Sequence, residues 1–556
     1  MEYDGLNTRS ARSLFQQAAA CHKAGDLVAA RRKYQQVLKR EPYLVEASYH
    51  LGMALVGAGA YGKAISQLGW TLVLEPGHRD ALFALARTLQ ITGREGQAIE
   101  RFHALVSEVP DHAEAWHALG VTQKALGRLD DAEASWRRTV ELAPLQGETR
   151  ALLGSLLQSL GREAEGEAEL DRAQALDPDN PGILCLIADG YRGAGRWPQA
   201  EALYDRALAT EPGHVGASTG KALALAARGE AAAATMLLEP IIATGSTVVD
   251  LALAYAEVVP AERTRAAIGL LNRALKPGPP PGAERRALLF ALGDLCDRAN
   301  IAVRAFAAYQ SANALAQGHF DGALFERQVS ARMEAFGPDA IRPQAAKENG
   351  PAPLLLLVGL PGGGVDLVAA TLTRHPGVRL LPAAPLPHHD DPRPDNPTAA
   401  DLAAAAAALA PDLADGDERL AVLPLEVLDL GLATLCWPGV RVIHGNRDAL
   451  DAGLHCFSHD LGPAGAFAAD LDLLTMRFAA ERRLLEHWQE VLDMQFLEVA
   501  YERLLRRSQE TLGALFDFCR LDWHDACLEP AAAAESPGRH RRYARHLRRL
   551  RLALED

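Results

Sequence analysis

Small and large apolar residues follow one another along the first half of the chain in a fixed rhythm. Alanines stand at 30, 64, 98, 132 and 200, and four positions after each comes Tyr34, Leu68, Phe102, Trp136 or Tyr204. Prolines at 42, 76, 110, 144, 178 and 212 and glycines at 25, 59, 93, 127, 161, 195 and 229 keep the same step of 34. Independent residue types in one phase over this many periods define a structural repeat. The pattern predicts a helix–turn–helix unit. Glycine permits the tight turn after the first helix, proline closes the second, the alanine lets two helices approach, and the large residue fills the space beside it.

Trp116, Leu119, Gly120, Ala132, Trp136 and Pro144 carry the clearest copy, and on these residues the array resembles the tetratricopeptide repeat over about residues 11–245. Gly166 stands where the fifth copy should have alanine, and the seventh lacks its closing proline. The resemblance implies a superhelical α-solenoid whose inner face binds a protein or peptide client. It assigns that face to first-helix positions such as Tyr49, Phe83, Arg87, His117 and Lys124. Several of these would equally serve as ordinary solvated residues.

The phase decays from 246. Residues 246–340 read as divergent helical repeats interrupted by the Pro/Gly break at 275–282, and 341–353 as a polar, proline-containing linker.

Beyond the linker the period is gone. PLLLLVGL (353–360) reads as a buried strand, PGGG (361–364) as a glycine turn, and the residues from Val365 on as a helix. Strand, glycine loop and helix are the geometry of an anion cradle, in which backbone N–H groups and the helix N-terminus face the charge. The loop has no Walker-type lysine, which excludes a nucleoside triphosphatase of that kind.

VRVIHGNRDALDAGLHCF (440–457) predicts a second strand, an Arg-Asp pair and a helix start. FLEVAYERLL (496–505), ALFDFCRLDW (514–523) and GRHRRYARHL (538–547) follow. In this order, and behind a repeat array, these segments resemble bacterial sulfotransferases. The likeness covers about 354–552. It implies a P-loop-like, three-layer α/β domain and, if the domain is active, the donor 3′-phosphoadenosine 5′-phosphosulfate. Related enzymes sulfate protein tyrosines.

By that resemblance Gly362, Gly363 and Gly364 form the donor loop, Arg447 and His455 face the nucleotide phosphate, and Gly538 and Arg539 belong to a basic loop that closes over it. His455 stands where the family has serine. The basic tail 539–551 also reads as a solvated amphipathic helix. The loop departs from the family's Pro-Arg-Ser-Gly-Thr-Thr. It has neither the arginine nor the hydroxyls, and Asp366 brings a carboxylate into the first helical turn. The general base expected after His375 and Pro376 is missing, since 377–387 contains no Asp or Glu and Ala383 or Pro385 takes its place. No catalytic residue and no metal ligand is therefore assigned. The His388, His389, Asp390, Asp391 stretch reads as a solvated loop, and 399–410 as an alanine-rich helix.

Composition narrows the partners. The chain has 556 residues, too many for one core, and 23% are charged with a net charge of −14, which disfavours nucleic acid as the main ligand. No run of about 20 apolar residues suggests a membrane span, and MEYDGLNTRS is not a secretory signal. The seven scattered cysteines form no CxxC pair, and the expectation is reduced thiols in the cytoplasm. Two functions remain. One is a repeat scaffold with a degenerate sulfotransferase domain that binds a partner or is catalytically impaired. The other is an active enzyme sulfating a protein or peptide held by the repeats.

Overall fold

The computed structural model describes residues 9–276, 282–316, 318–336, 354–381, 420–437, 439–492, 494–506, 509–528 and 535–555. The linker 341–353, the stretch 382–419 with its histidine–aspartate and alanine-rich segments, and residues 529–534 lie outside that description.

From Arg9 to Ala243 the described residues form seven successive helix pairs, beginning with Arg9–Lys23 and Leu27–Arg40. Each pair turns on its periodic glycine, from Gly25 (φ 81°) to Gly229 (φ 86°), a left-handed conformation that costs other residues more. The large periodic residue is fully buried in the first, second, third, fourth and sixth pairs. In the fourth it meets a small partner, for a Cβ on Gly120 would lie 2.5 Å from Trp136 Nε1. The fifth pair solves the same problem differently. Gly154 and Gly166 face each other, and a Cβ on Gly166 would lie 2.7 Å from the Gly154 carbonyl oxygen. Alanine is absent there because the two backbones touch.

A second feature recurs at the start of first helices. His78, His112 and His214 are N-caps whose Nδ1 accepts the backbone N–H of Ala81, Ala115 and Ala217, so these imidazoles satisfy helix-end donors as Asn or Asp would. Asn180 does the same for the N–H groups of Gly182 and Ile183.

The chain divides into two compact units at residues 299/300, ahead of the linker. The helices Ala302–Asn313 and Gly322–Ala335, which sequence grouped with the divergent repeats of 246–340, belong to the second unit. Their apolar residues are the reason. Phe325 and Val329 enter the core beneath the sheet, and Asn313 Nδ2 donates to the Phe457 carbonyl at 2.8 Å.

That sheet has five described parallel strands, β1 (Leu354–Val358), β2 (Val378–Leu380), β3 (Leu420–Pro424), β4 (Arg441–Asn446) and β5 (Gln495–Ala500), in the order β2-β3-β1-β4-β5. β1 is central and buried throughout, as expected for a parallel strand covered on both faces. Leu354, Leu356 and Val358 pack on one face with the helix Leu471–Val491. Leu355 and Leu357 pack on the other with the helices Val365–Leu372 and Gln509–Cys519. The result is a three-layer α/β unit.

Candidate functional site

The carboxyl ends of β1 and β4, neighbours in register from Leu355↔Arg441 to Val358↔His444, carry the two loops that build the site. In open parallel sheets this edge is where ligands bind. After β1 the glycine turn leads into the helix Val365–Leu372, and Gly362 (φ 70°) and Gly364 (φ 97°) take left-handed conformations. Gly363 N–H closes the turn on the Leu360 carbonyl at 2.7 Å. After β4, Asp448 caps the helix Ala449–Ser458 through the N–H groups of Leu450 and Asp451. This helix lies against the glycine turn, since a Cβ on Gly362 would be 2.9 Å from the Ala452 carbonyl oxygen and 3.0 Å from His455 Cδ2.

The seven residues that resemblance assigned to nucleotide binding come together here. Arg447 is 6% exposed, Nη1 donates to the Gly362 carbonyl at 3.3 Å, and the guanidinium carbon stands 4.4 Å from the ring centre of Tyr501. Tyr501 in turn backs the glycine turn, 2.9 Å from where a Cβ on Gly364 would be. Gly538 (φ 81°) and His540 present their backbone N–H groups to the carboxylate of Asp451, and this anchors the loop. Arg539 donates from Nη1 to Ser458 Oγ and from Nη2 to Tyr309 Oη, each at 3.1 Å. The basic tail divides in two. Arg539–Tyr543 is a 3-10 turn that buries Tyr543, and Arg548–Glu555 is an amphipathic helix that buries Leu550 and exposes Arg548, Arg549 and Arg551.

At the centre of these groups stands Glu535, which the sequence reading did not single out. Its Oε2 accepts from Arg447 Nη2 at 2.8 Å, and its Oε1 accepts from Arg539 Nη1 at 2.9 Å. His455 Nδ1 is 3.2 Å from Oε2 and His459 Nε2 is 3.5 Å from Oε1. The His455 contact is close but not aligned as a hydrogen bond. Tyr501 Oη donates to the Glu535 backbone carbonyl at 3.0 Å. Burial pushes the Glu535 carboxyl up, but His455, Arg447 and Arg539 outweigh it and hold the group well below the usual carboxylate range. The only signal in the sequence was an acid three positions before Gly538.

His455, His459 and Glu535 bring three potential ligand atoms within 4.8 Å of one another. Two guanidinium groups already hold this carboxylate, and their charge opposes a divalent cation at the same place. The cluster of Asp448, Asp451 and His540 also has its buried carboxylate engaged, by two backbone N–H groups.

His375 is a structural residue. Its Nδ1 accepts from Gly377 N–H at 2.9 Å and its Nε2 donates to the Asp522 carbonyl at 3.0 Å, which leaves neither nitrogen for proton transfer. Ala383 and Pro385 lie outside the described residues. Asp366 is exposed in the first turn of its helix, where a carboxylate suits the helix dipole.

In the array, each of the five positions assigned to the inner face sits on the first helix of its pair. Tyr49 packs on His78 with ring centres 5.0 Å apart, and Phe83 stacks on His112 at 5.3 Å. His117 Nδ1 pairs with Thr149 Oγ1 at 2.8 Å, Arg87 Nη1 donates to Gln90 Oε1 at 2.8 Å, and Lys124 Nζ is 5.9 Å from the Trp136 ring centre. Tyr49, Phe83 and His117 thus serve the joint with the following repeat. Tyr49 also lines a cavity of about 340 Å³ with His22, Tyr34, His50 and Met53.

Comparison with known proteins agrees with this architecture. Tetratricopeptide-repeat models match residues 22–69, 83–133, 117–181 and 185–238, and a sulfotransferase-family model matches residues 384–525. The chain therefore carries a tetratricopeptide array followed by a sulfotransferase-family domain. An uncharacterized protein of Aquifex aeolicus (strain VF5) is 33% identical over 104 residues, which is 18% of this chain and 14% of that relative's length. Solved structures similar to the array include a MamA RS-1 double mutant (20% identity, TM-score 0.31, 31% of this chain and 97% of that one). MamA from Desulfovibrio magneticus RS-1 gives 20% identity and a TM-score of 0.30 over 31% of this chain and 98% of that one.

Proposed function

We propose that this chain is a repeat scaffold that binds a protein or peptide client and whose sulfotransferase-family domain keeps the fold but has lost efficient sulfuryl transfer. One observation carries the reading. The family's nucleotide arginine, Arg447, is held by an internal carboxylate, Glu535. The glycine turn compounds the loss, because it offers backbone alone where the family has an arginine and two hydroxyls to meet the phosphosulfate. Removing one preorganised electrostatic contact typically lowers a rate by about 10²–10³-fold.

The residues fit the donor unequally. Arg447, His455 and Arg539 suit a nucleotide phosphate, whereas Gly362–Gly364 meet a second dianion with no cation of their own. Bound donor would supply the sulfuryl group, and this chain's part would be to orient the nucleotide. A cytoplasmic location and a client without nucleic acid complete the reading.

Arg447 and His455 beside the glycine turn, with Arg539 joined to them through Glu535, support a second reading, an active sulfotransferase acting on a client tyrosine. Incubating the full chain with 3′-phosphoadenosine 5′-phosphosulfate and tyrosine-containing peptides separates the two. Formation of adenosine 3′,5′-bisphosphate at background level, unchanged by Arg447→Ala, is expected. Turnover that Arg447→Ala abolishes establishes the active enzyme.

A further inference from the structure

Four side chains from three stretches of the second unit meet on one carboxylate. Arg447 follows β4, His455 and His459 lie in or just after the helix Ala449–Ser458, and Arg539 opens the 3-10 turn Arg539–Tyr543. A buried guanidinium beside a second guanidinium and two imidazoles is a built anion site, and charge-assisted, oriented donors of this kind are the strong ones. The Arg447 side chain is only 3% exposed. Without an anion it would be a desolvated, unpaired charge, which proteins avoid.

The chain supplies the anion itself. Each Glu535 oxygen faces one arginine and one histidine. The residue is pinned a second time by Tyr501 Oη on its backbone carbonyl, and that tyrosine also supports the glycine turn. A side chain that merely strayed toward a basic patch would not be held at both ends.

We propose that Glu535 is a resident anion that competes with external ligands, so that any phosphate-bearing molecule must displace its carboxylate to reach Arg447 and Arg539. The proposal rests on the reading that the family's nucleotide site is disabled in the resting chain, and it names the group that disables it. The cationic side of the site, Arg447 and Arg539, stays in place, and Glu535 occupies it. The apparent affinity for an external phosphate is then the intrinsic affinity scaled by the fraction of molecules in which Glu535 has left. A carboxylate seated in at least about nine molecules in ten lowers affinity by about tenfold or more.

The test is calorimetric titration of the full chain with adenosine 3′,5′-bisphosphate. Glu535→Gln keeps the shape and removes the charge, and Glu535→Asp keeps the charge and shortens the reach. The expected order of affinity is Gln over Asp over wild type, with about a tenfold or larger gain for Gln, and Arg447→Ala added to Glu535→Gln abolishes binding. Equal or weaker binding by Glu535→Gln than by wild type overturns the proposal. If circular dichroism shows that the Gln variant does not fold, the Asp variant decides, and failure to bind more tightly than wild type overturns it. Sulfuryl transfer by the wild-type chain would overturn the proposed function alone, since the affinity order does not depend on turnover.

Discussion

Arg447 and Glu535, 88 positions apart in the chain, meet at 2.8 Å with their side chains 3% and 19% exposed. Removing one partner of such a pair leaves the other as a buried charge, which costs about 3–5 kcal/mol, whereas replacing both is often nearly neutral. Arg447→Met alone is expected to lower the urea midpoint strongly, and Arg447→Met with Glu535→Gln to recover part of the loss. The double-mutant cycle should report a coupling of about 1–3 kcal/mol. Additive single effects would show that the two side chains do not act as a pair.

The histidine caps make a separate prediction for the array. His112 accepts the Ala115 N–H at 3.2 Å and stacks on Phe83. His112→Ala removes both interactions, and loss of an N-cap acceptor costs about 0.5–2 kcal/mol. His112→Asn keeps the acceptor and loses the ring, so it should fall between wild type and Ala in chemical denaturation. If Asn and Ala are equally destabilising, the cap contributes nothing and the ring contact is the whole effect.

The two residues in this joint show what the sequence could and could not disclose. Trp136 and Gly120 were legible because their contact is local and recurs with the period. Phe83 was also legible as a first-helix position, but its partner sits at the next repeat's cap, a place no propensity rule marks for histidine. In the second unit, β1, β4 and Arg447 stood out because buried parallel strands are continuous apolar runs and the Arg-Asp pair opens a helix. Glu535 did not, because Arg447, His455 and His459 stand 76–88 positions before it, and its i,i+4 pairing with Arg539 alone does not mark a site. The transfer of helices 302–335 to the sheet unit was hidden for the same reason, since it depends on packing such as Asn313 against Phe457.

Stability of the array should fall in mild acid. Burial lowers the His50 pKa from the usual 6.5, aided by the charges of His22 and His78, and burial likewise lowers that of His117. A histidine that is neutral in the fold but protonates at its ordinary pKa when unfolded stabilises the native state fully above that pKa. The contribution is lost as pH falls below 6.5 toward the depressed native values. Melting temperatures measured at pH 7.5, 6.5 and 5.5 should therefore decrease in that order, with the larger step between 6.5 and 5.5. His50→Gln, which cannot titrate, should reduce that step. A variant as pH-sensitive as wild type would remove His50 from the explanation.

Two glycine-to-alanine substitutions should act in opposite directions. On Gly120 the new methyl would stand 2.5 Å from Trp136 Nε1 and 2.6 Å from its Cδ1, and the fully buried indole has little room to move. Overpacking of this kind costs about 1–3 kcal/mol. Gly69 lies inside the helix Tyr61–Leu74 with nothing within 4 Å of a Cβ. Alanine there restricts the unfolded chain and suits the helix, a gain of about 0.5–1 kcal/mol. Urea denaturation of Gly120→Ala and Gly69→Ala against wild type should place them on either side of it. Equal shifts in one direction would mean that helix propensity, and not the contact between the small residue and Trp136, governs how closely the two helices of the repeat approach.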